Sequence, residues 1–258
     1  MSRINKLFTR ERENILSLYF CAGYPSKDNT VETLQILEQS GVKMVEIGIP
    51  FSDPMADGVV IQEAATRALE GGMTLRLLFS QLANVRESVS IPLVLMGYLN
   101  PIIHFGFENF CRECQRCGID GVIIPDLPFA EYMEEYRAMA QSYGVEVIML
   151  ITPETEDERI RAIDAVSGGF IYMVSSASIT GAQQSFEGEK ERYFQRIASL
   201  GLRNPLMVGF GISNRQTFEM SCRYANGAII GSRFVSLQTE YGDSAKAVAH
   251  LLNDLKRC

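Results

Sequence analysis

Eight short apolar runs of strand length, separated throughout by amphipathic helical segments, constrain this chain more than any other feature. The predicted strands are Asn14–Cys21, Lys43–Ile49, Pro92–Tyr98, Ile119–Ile124, Val145–Ile151, Phe170–Val174, Pro205–Gly209 and Gly227–Ile230. Helical patterns between them include Thr30–Ser40, Phe129–Tyr143, Glu156–Val166, Glu189–Leu200 and Gln216–Tyr224. Such alternation makes the strands parallel, because each crossover helix carries the chain back to start the next strand in the same direction. Eight units with no linker or break in composition predict a closed sheet. The expected fold is α/β, a (β/α)8 TIM barrel spanning residues 1–258 as a single domain. The 258 residues suit it, since about 250 is typical of that fold. A doubly wound open sheet is the rival, but it calls for a glycine-rich turn after its first strand. Gly23-Tyr24-Pro25 stands there instead. Ile4, Leu7 and Phe8 add a short amphipathic N-terminal helix.

Composition narrows the partners. A net charge of −7 disfavours nucleic acid or an anionic membrane, though an anionic ligand needs only local amides and a helix terminus. No apolar run approaches the ~20 residues that span a bilayer. The segment MSRINKLFTRERE lacks the apolar core of a signal peptide, so a cytoplasmic location is expected. Six cysteines in a chain with this much core material do not imply a disulfide scaffold. Cys111, Cys114 and Cys117 have the spacing of part of an iron–sulfur run, but no fourth cysteine follows at the required distance. They share one helix face and suit a buried one. With only two histidines, His104 and His250, far apart, no metal is expected.

The chemistry concentrates in Lys43–Gly58, KMVEIGIPFSDPMADG. Alternation sets Val45, Ile47 and Ile49 on one face of the second strand and Met44, Glu46 and Gly48 on the other. If helices cover the first face, Glu46 points into the barrel. A carboxylate removed from water without a partner is costly, so such a residue is paired, protonated or used. The loop that follows carries Pro50, Asp53, Pro54 and Asp57 at the carboxyl end of a strand, where barrels place their active sites. A second long connection, Ser175–Gly188, overhangs the same mouth and is either a lid or a plain surface loop.

Late in the chain, Gly209-Phe210-Gly211 follows the seventh predicted strand and Gly231-Ser232 the eighth. Barrels often bind phosphate there, and glycine lets amides approach its oxygens. Tight turns alone are the competing reading. Tyr172 lies on the sixth predicted strand and is open to two roles, core or catalyst. Asp126 ends the fourth, where loop anchoring suits it. No serine–histidine–acid or cysteine–histidine set is supported by position, and nothing marks a Schiff-base lysine. Two carboxylates, a tyrosine and a phosphate cradle suit cofactor-free proton transfer on a phosphorylated substrate with an apolar body.

With VEIGIPFSDPMADG, Gln62, IYMVSSASITG, GFGIS and IIGS in order, and with Gly23-Tyr24-Pro25 and Pro125-Asp126-Leu127-Pro128 between them, the chain resembles the tryptophan synthase α-subunit family along essentially its whole length. That resemblance implies retro-aldol cleavage of indole-3-glycerol phosphate to indole and glyceraldehyde 3-phosphate, a carbon–carbon lyase reaction of tryptophan biosynthesis. It implies Glu46 as general acid/base, Asp57 as the carboxylate on the indole N–H, and Tyr172 as the residue that positions Glu46. It assigns phosphate to Gly181, Gly211, Gly231 and Ser232, and the indole pocket to Tyr19, Met96, Ile123, Leu150 and Thr180. It implies no cofactor in this chain and a β-subunit partner that carries pyridoxal phosphate, in an α2β2 heterotetramer, with Pro50 and Asp53 at the contact. Ser178 departs from the family, which usually has glycine there in a loop reading Ser-x-x-Gly-Val-Thr-Gly. Two alternatives stay open: a stand-alone lyase releasing free indole, and a non-catalytic barrel that activates a β subunit.

Overall fold

A computed structural model describes residues 2–175 and 186–256 of the chain. Its strands are β1 (Ile15–Cys21), β2 (Met44–Gly48), β3 (Leu93–Met96), β4 (Gly121–Ile123), β5 (Glu146–Ile148), β6 (Leu150–Ile151), β7 (Ile171–Val174), β8 (Leu206–Gly209) and β9 (Gly227–Ile230). Every pairing is parallel, in the order β5-β4-β3-β2-β1-β9-β8-β7-β6. The two ends of that order, β5 and β6, are consecutive in the chain and separated only by Met149. They are one barrel strand with a break, and the sheet closes through it. The Met149 carbonyl accepts from the Tyr172 amide at 3.0 Å, so the ladder crosses the break. The predicted fifth strand, Val145–Ile151, is therefore present as two segments. The last predicted strand, Gly227–Ile230, is present with the same bounds, and the other six are present with their ends trimmed, as at Leu93–Met96 within Pro92–Tyr98.

Alternation along the strands divides the core in two. Val45, Ile47 and Ile49 face outward into the layer between sheet and helices. Met44, Val94, Met96, Ile123, Ile148, Phe170, Met207 and Ile229 fill the lumen. Ile4 and Phe8 join them from the helix α1 (Arg3–Arg10), which Ser2 caps by accepting from the Asn5 amide at 3.2 Å. The N-terminal helix read from Ile4, Leu7 and Phe8 thus stoppers the amino end of the barrel. Cys111, Cys114 and Cys117 are buried free thiols on one face of the helix Phe107–Cys117. The predicted helix Phe129–Tyr143 contains a wider π turn over Tyr132–Tyr136. Among the described residues, no helix is long and apolar enough to cross a membrane.

A carboxylate ties the stopper down. Asp120, just before β4, is buried and accepts from Arg3 N and Nη1 (3.3 and 3.1 Å), Arg86 Nη2 (2.7 Å) and Leu93 N (3.0 Å). It joins α1 to the start of β3, while Arg86 also donates to the carbonyls of Gly118, Val89 and Ile91. Removing one partner of such a set leaves cations and amides without their acceptor. Asp120→Ala is expected to lower the free energy of unfolding by about 3 kcal/mol, measured by urea titration. A loss under about 1 kcal/mol, the scale of a surface ion pair, would refute the assignment.

Candidate active site

Glu46 enters from β2 on the same face as Met44, opposite Tyr19 of β1 and Val94 of β3 in register. It is 0% exposed, and neither of its carboxyl oxygens has a hydrogen-bond partner among the described residues. Burial alone pushes its carboxyl up from the usual 4.5 to about 8. At neutral pH the group therefore holds its proton.

Asp57 reaches the same space from the loop after β2. Its Oδ2 accepts from the Tyr98 hydroxyl at 3.0 Å, and Tyr98 in turn accepts from the Ala56 amide at 3.0 Å. The amide commits one lone pair of the phenol oxygen, and the phenol proton is left pointing at Asp57. Burial raises the Asp57 carboxyl to about 6, with the Tyr98 hydrogen bond acting in the opposite sense. The loop is held by the Phe51–Tyr98 ring contact (5.4 Å between centroids) and by Gln62 Nε2 donating to the Asp57 carbonyl at 2.8 Å.

Two tyrosines reach the mouth over glycines. A Cβ on Gly48 would lie 2.0 Å from the Tyr19 hydroxyl, and one on Gly209 would lie 1.9 Å from the Tyr172 hydroxyl. Each ring leans from its own strand across the next, one pleat toward the carboxyl end, into space a side chain would fill. Gly48 pairs with Cys21 and Gly209 with Val174, whereas the tyrosines pair with Glu46 and Met207. Burial and the neighbouring Glu46 and Asp57 keep the Tyr172 phenol well above its ordinary pKa, and Tyr19 likewise.

The loop after β8 is backbone-strained: Phe210 has φ 63° and Gly211 φ 71°. A non-glycine residue in that region is uncommon and is held by its surroundings. Here the holding contacts are the Tyr172 ring, edge-on to Phe210 at 5.9 Å, and the Ser175 hydroxyl, which donates to the Phe210 carbonyl. After β9, Gly231 precedes the ten-residue helix Ser232–Tyr241, whose amino end faces the mouth. A helix start with free amides favours an anion.

A cavity of about 150 Å³ connects these parts. Glu46, Asp57, Tyr172, Tyr19, Met96, Gly211, Gly231 and Ser232 all line it, joined by Phe210 and Ile229. Ile123 and Leu150 do not. Ile123 is fully buried in the lumen filling, and Leu150, packed against that filling, lines a separate cleft of about 440 Å³ beside Pro125 and Phe129. That cleft is larger, but it contains no buried carboxyl. Thr180 and Gly181 lie outside the described residues, as does most of the predicted Ser175–Gly188 loop. Pro50 is buried within the chain, whereas Asp53 is exposed and accepts from Ser52 Oγ at 2.5 Å. Asp126 does anchor a loop, accepting from the Leu99 amide at 2.8 Å. No group of His, Cys, Asp and Glu among the described residues is placed to hold a metal. Tyr98 and Phe210 were not singled out in the sequence. The signal for Tyr98 was its place at the end of the third predicted strand, over the same mouth.

One carboxyl kept neutral beside one kept ionised is an arrangement for moving protons. Inside the mouth of a (β/α)8 barrel it defines the class: an acid–base barrel enzyme. The sequence profile of the family described as tryptophan synthase alpha chain matches residues 5–257. The tryptophan synthase alpha chain of Bacteroides thetaiotaomicron is 63% identical over 99% of this chain and 100% of its own length. That of Phocaeicola vulgatus is likewise 63% identical, with the same coverage. Among solved structures, tryptophan synthase subunit alpha from Legionella pneumophila superposes with a TM-score of 0.88 at 32% identity, covering 99% of this chain and 97% of that one. The chain belongs to the tryptophan synthase alpha chain family. It is accordingly an enzyme of tryptophan synthesis, acting as a lyase.

The Glu46 shift has a stability consequence. Its folded pKa, about 8, exceeds the usual 4.5, so the unfolded chain loses this proton first as pH rises. The contribution is intact below pH 4.5, erodes between 4.5 and about 8, and is gone above. Glu46→Gln should therefore gain stability relative to the parent across that window, by up to about 4 kcal/mol. Urea titrations of both proteins at pH 5 and pH 8 measure it, and an unchanged difference would refute the shift.

Proposed function

We propose that this chain cleaves indole-3-glycerol phosphate to indole and D-glyceraldehyde 3-phosphate by a retro-aldol reaction, in the cytoplasm. The observation that carries the reading is one cavity lined by two carboxyl groups in unlike settings. Glu46 is buried without a partner among the described residues and Asp57 is bonded to Tyr98, which keeps the first neutral and the second ionised. Indole is a poor leaving group until C3 is protonated. The Glu46 carboxyl supplies that proton, and the ring becomes a cation with its charge centred on N1. Asp57 accepts a hydrogen bond from the ring N–H and stabilises the cation in a site largely closed to water. The Glu46 carboxylate then takes the proton of the hydroxyl on the carbon attached to C3. As that oxygen becomes the aldehyde carbonyl, the carbon–carbon bond pair returns to the ring and restores indole. Glu46 ends as it began, so the cycle needs no outside acid or base.

Tyr172 borders Glu46 and fixes its orientation, while Tyr19 and Met96 contact the indole. Ile123 backs that contact from the lumen filling, while Leu150 lies off it on the separate cleft. Gly211, Gly231 and Ser232 receive the phosphate together with Gly181, and Thr180 belongs with the indole contacts. The partner in this reading is a β subunit carrying pyridoxal phosphate, which receives indole in an α2β2 assembly. Asp53, beside Met55 at 87% exposure, is the part of the loop open to such a partner. Pro50 shapes the loop from within.

Indole release from indole-3-glycerol phosphate, with and without a cognate β subunit, tests the reading. Product in both cases with strong activation by the partner supports it, and no product in either rejects it. Glu46→Gln and Asp57→Asn should each lower kcat by at least about 100-fold with the fold intact by circular dichroism. The dependence of kcat/KM on pH should be bell-shaped, rising as Asp57 ionises near 6 and falling as Glu46 ionises near 8. Tyr98→Phe removes the bond that lowers the Asp57 pKa, so its acidic limb should move to higher pH. A limb that stays put would disconnect Asp57 from that limb.

A further inference from the structure

A lysine stands against the glycine of the strained loop. A Cβ on Gly211 would lie 3.7 Å from Lys190 Nζ and 3.6 Å from Ser175 Oγ. Lys190 extends from the helix Phe186–Ser199 and is half-buried. Its ammonium makes no ion pair or hydrogen bond among the described residues. The neighbouring Glu191 is turned to the Tyr224 hydroxyl, which donates to it at 2.7 Å, and Glu189 is exposed. Arg233, which lines the cavity itself, is committed to Asp254 at 3.0 Å, a carboxylate that His250 also approaches at 3.3 Å. Ser175 is likewise committed, to the Phe210 carbonyl. Among the described residues, Lys190 is the cation left unpaired beside Gly211.

Charge says what it is for. A phosphate dianion entering a chain of net charge −7 meets Asp57 in the same cavity. The helix start at Gly231 offers only about half a positive charge. A full charge within reach of Gly211 offsets what the amides leave over, and an ammonium is a compact partner for phosphate oxygens. Glycine at 211 is called for by the backbone, at φ 71°, and it leaves the Lys190 ammonium at contact distance from the turn. We infer that Lys190 is a phosphate-binding residue, donating from its ammonium to the phosphate of the substrate seated at Gly211, Gly231 and Ser232. This rests on the reading that the cavity takes a phosphorylated substrate.

The test is made with Lys190→Gln and Lys190→Arg in the full chain. Calorimetric titration with inorganic phosphate is followed by steady-state kinetics on indole-3-glycerol phosphate. Lys190→Gln is expected to weaken phosphate binding about tenfold, the effect of losing one charged hydrogen bond, and to raise KM similarly while kcat stays within about twofold. Its phosphate affinity should also depend less on salt, since one charge opposite the phosphate has been removed. Lys190→Arg should keep most of the parent affinity, which a merely structural effect of the substitution would not produce. Equal melting temperatures exclude unfolding as the cause. Unchanged phosphate affinity and KM in Lys190→Gln overturn the inference, as does a parent protein that binds no phosphate. If phosphate binds and depends on Lys190 but no indole is released, the inference stands and the lyase reading falls.

Discussion

Everything in the site depends on the closed parallel sheet turning alternate side chains into a lumen that has little room. Closure leaves no edge strand and no aqueous face on the inner side, so inward residues pack on one another or go without water. Below Glu46 the lumen is filled by Met44, Met207, Ile229 and their neighbours, and the end is stoppered by Ile4 and Phe8. Glu46 therefore stands on a dry floor. Its carboxyl is neutral because the apolar layers beneath it give it nothing to ionise against. The Asp120 tie among Arg3, Arg86 and Leu93 belongs to the same account: it keeps the stopper seated, and so keeps water from the floor.

Asp57 shows how little separates the two carboxyl groups. Both are largely removed from solvent and both are raised by it. Asp57 is less deeply buried than Glu46, and it has a phenol beside it. Tyr98 gives Asp57 a donor, whereas Glu46 has none among the described residues. Shallower burial, an aspartate's lower ordinary pKa and that hydrogen bond together put the two groups on opposite sides of neutral pH. A buried, unpartnered Glu46 costs folding free energy, and the chain retains it where a methionine or leucine would pack better.

Much of the fold was legible because period-two apolar runs and helical stripes record which face is buried. The inward orientation of Glu46 followed from parity alone. Depth did not. Ile123 and Leu150 have the parity of wall residues but lie off the cavity, because a sequence shows on which face a residue sits and not at what level. The break at Met149 and the π turn at Tyr132–Tyr136 are shifts of one backbone hydrogen bond, and side-chain pattern carries no trace of them. Tyr98 acquires its meaning from a partner 41 positions away, and Lys190 from a glycine on another strand end. The resemblance reached residues that physics left open, among them Tyr172, because it compares whole loops and not single positions.

The tyrosines over Gly48 and Gly209 tie positions together in a way that outlasts any one chain. Each hydroxyl occupies the volume that its neighbour's missing Cβ vacates, so neither partner can change first without harm to the other. A side chain at 48 evicts the Tyr19 ring, and a smaller residue at 19 leaves a hole that glycine cannot fill. Such pairs are epistatic: among relatives, drift at one member is open only after the other has moved. The mouth of this barrel is in that sense built from two locked couples, and its polar rim evolves in steps of two.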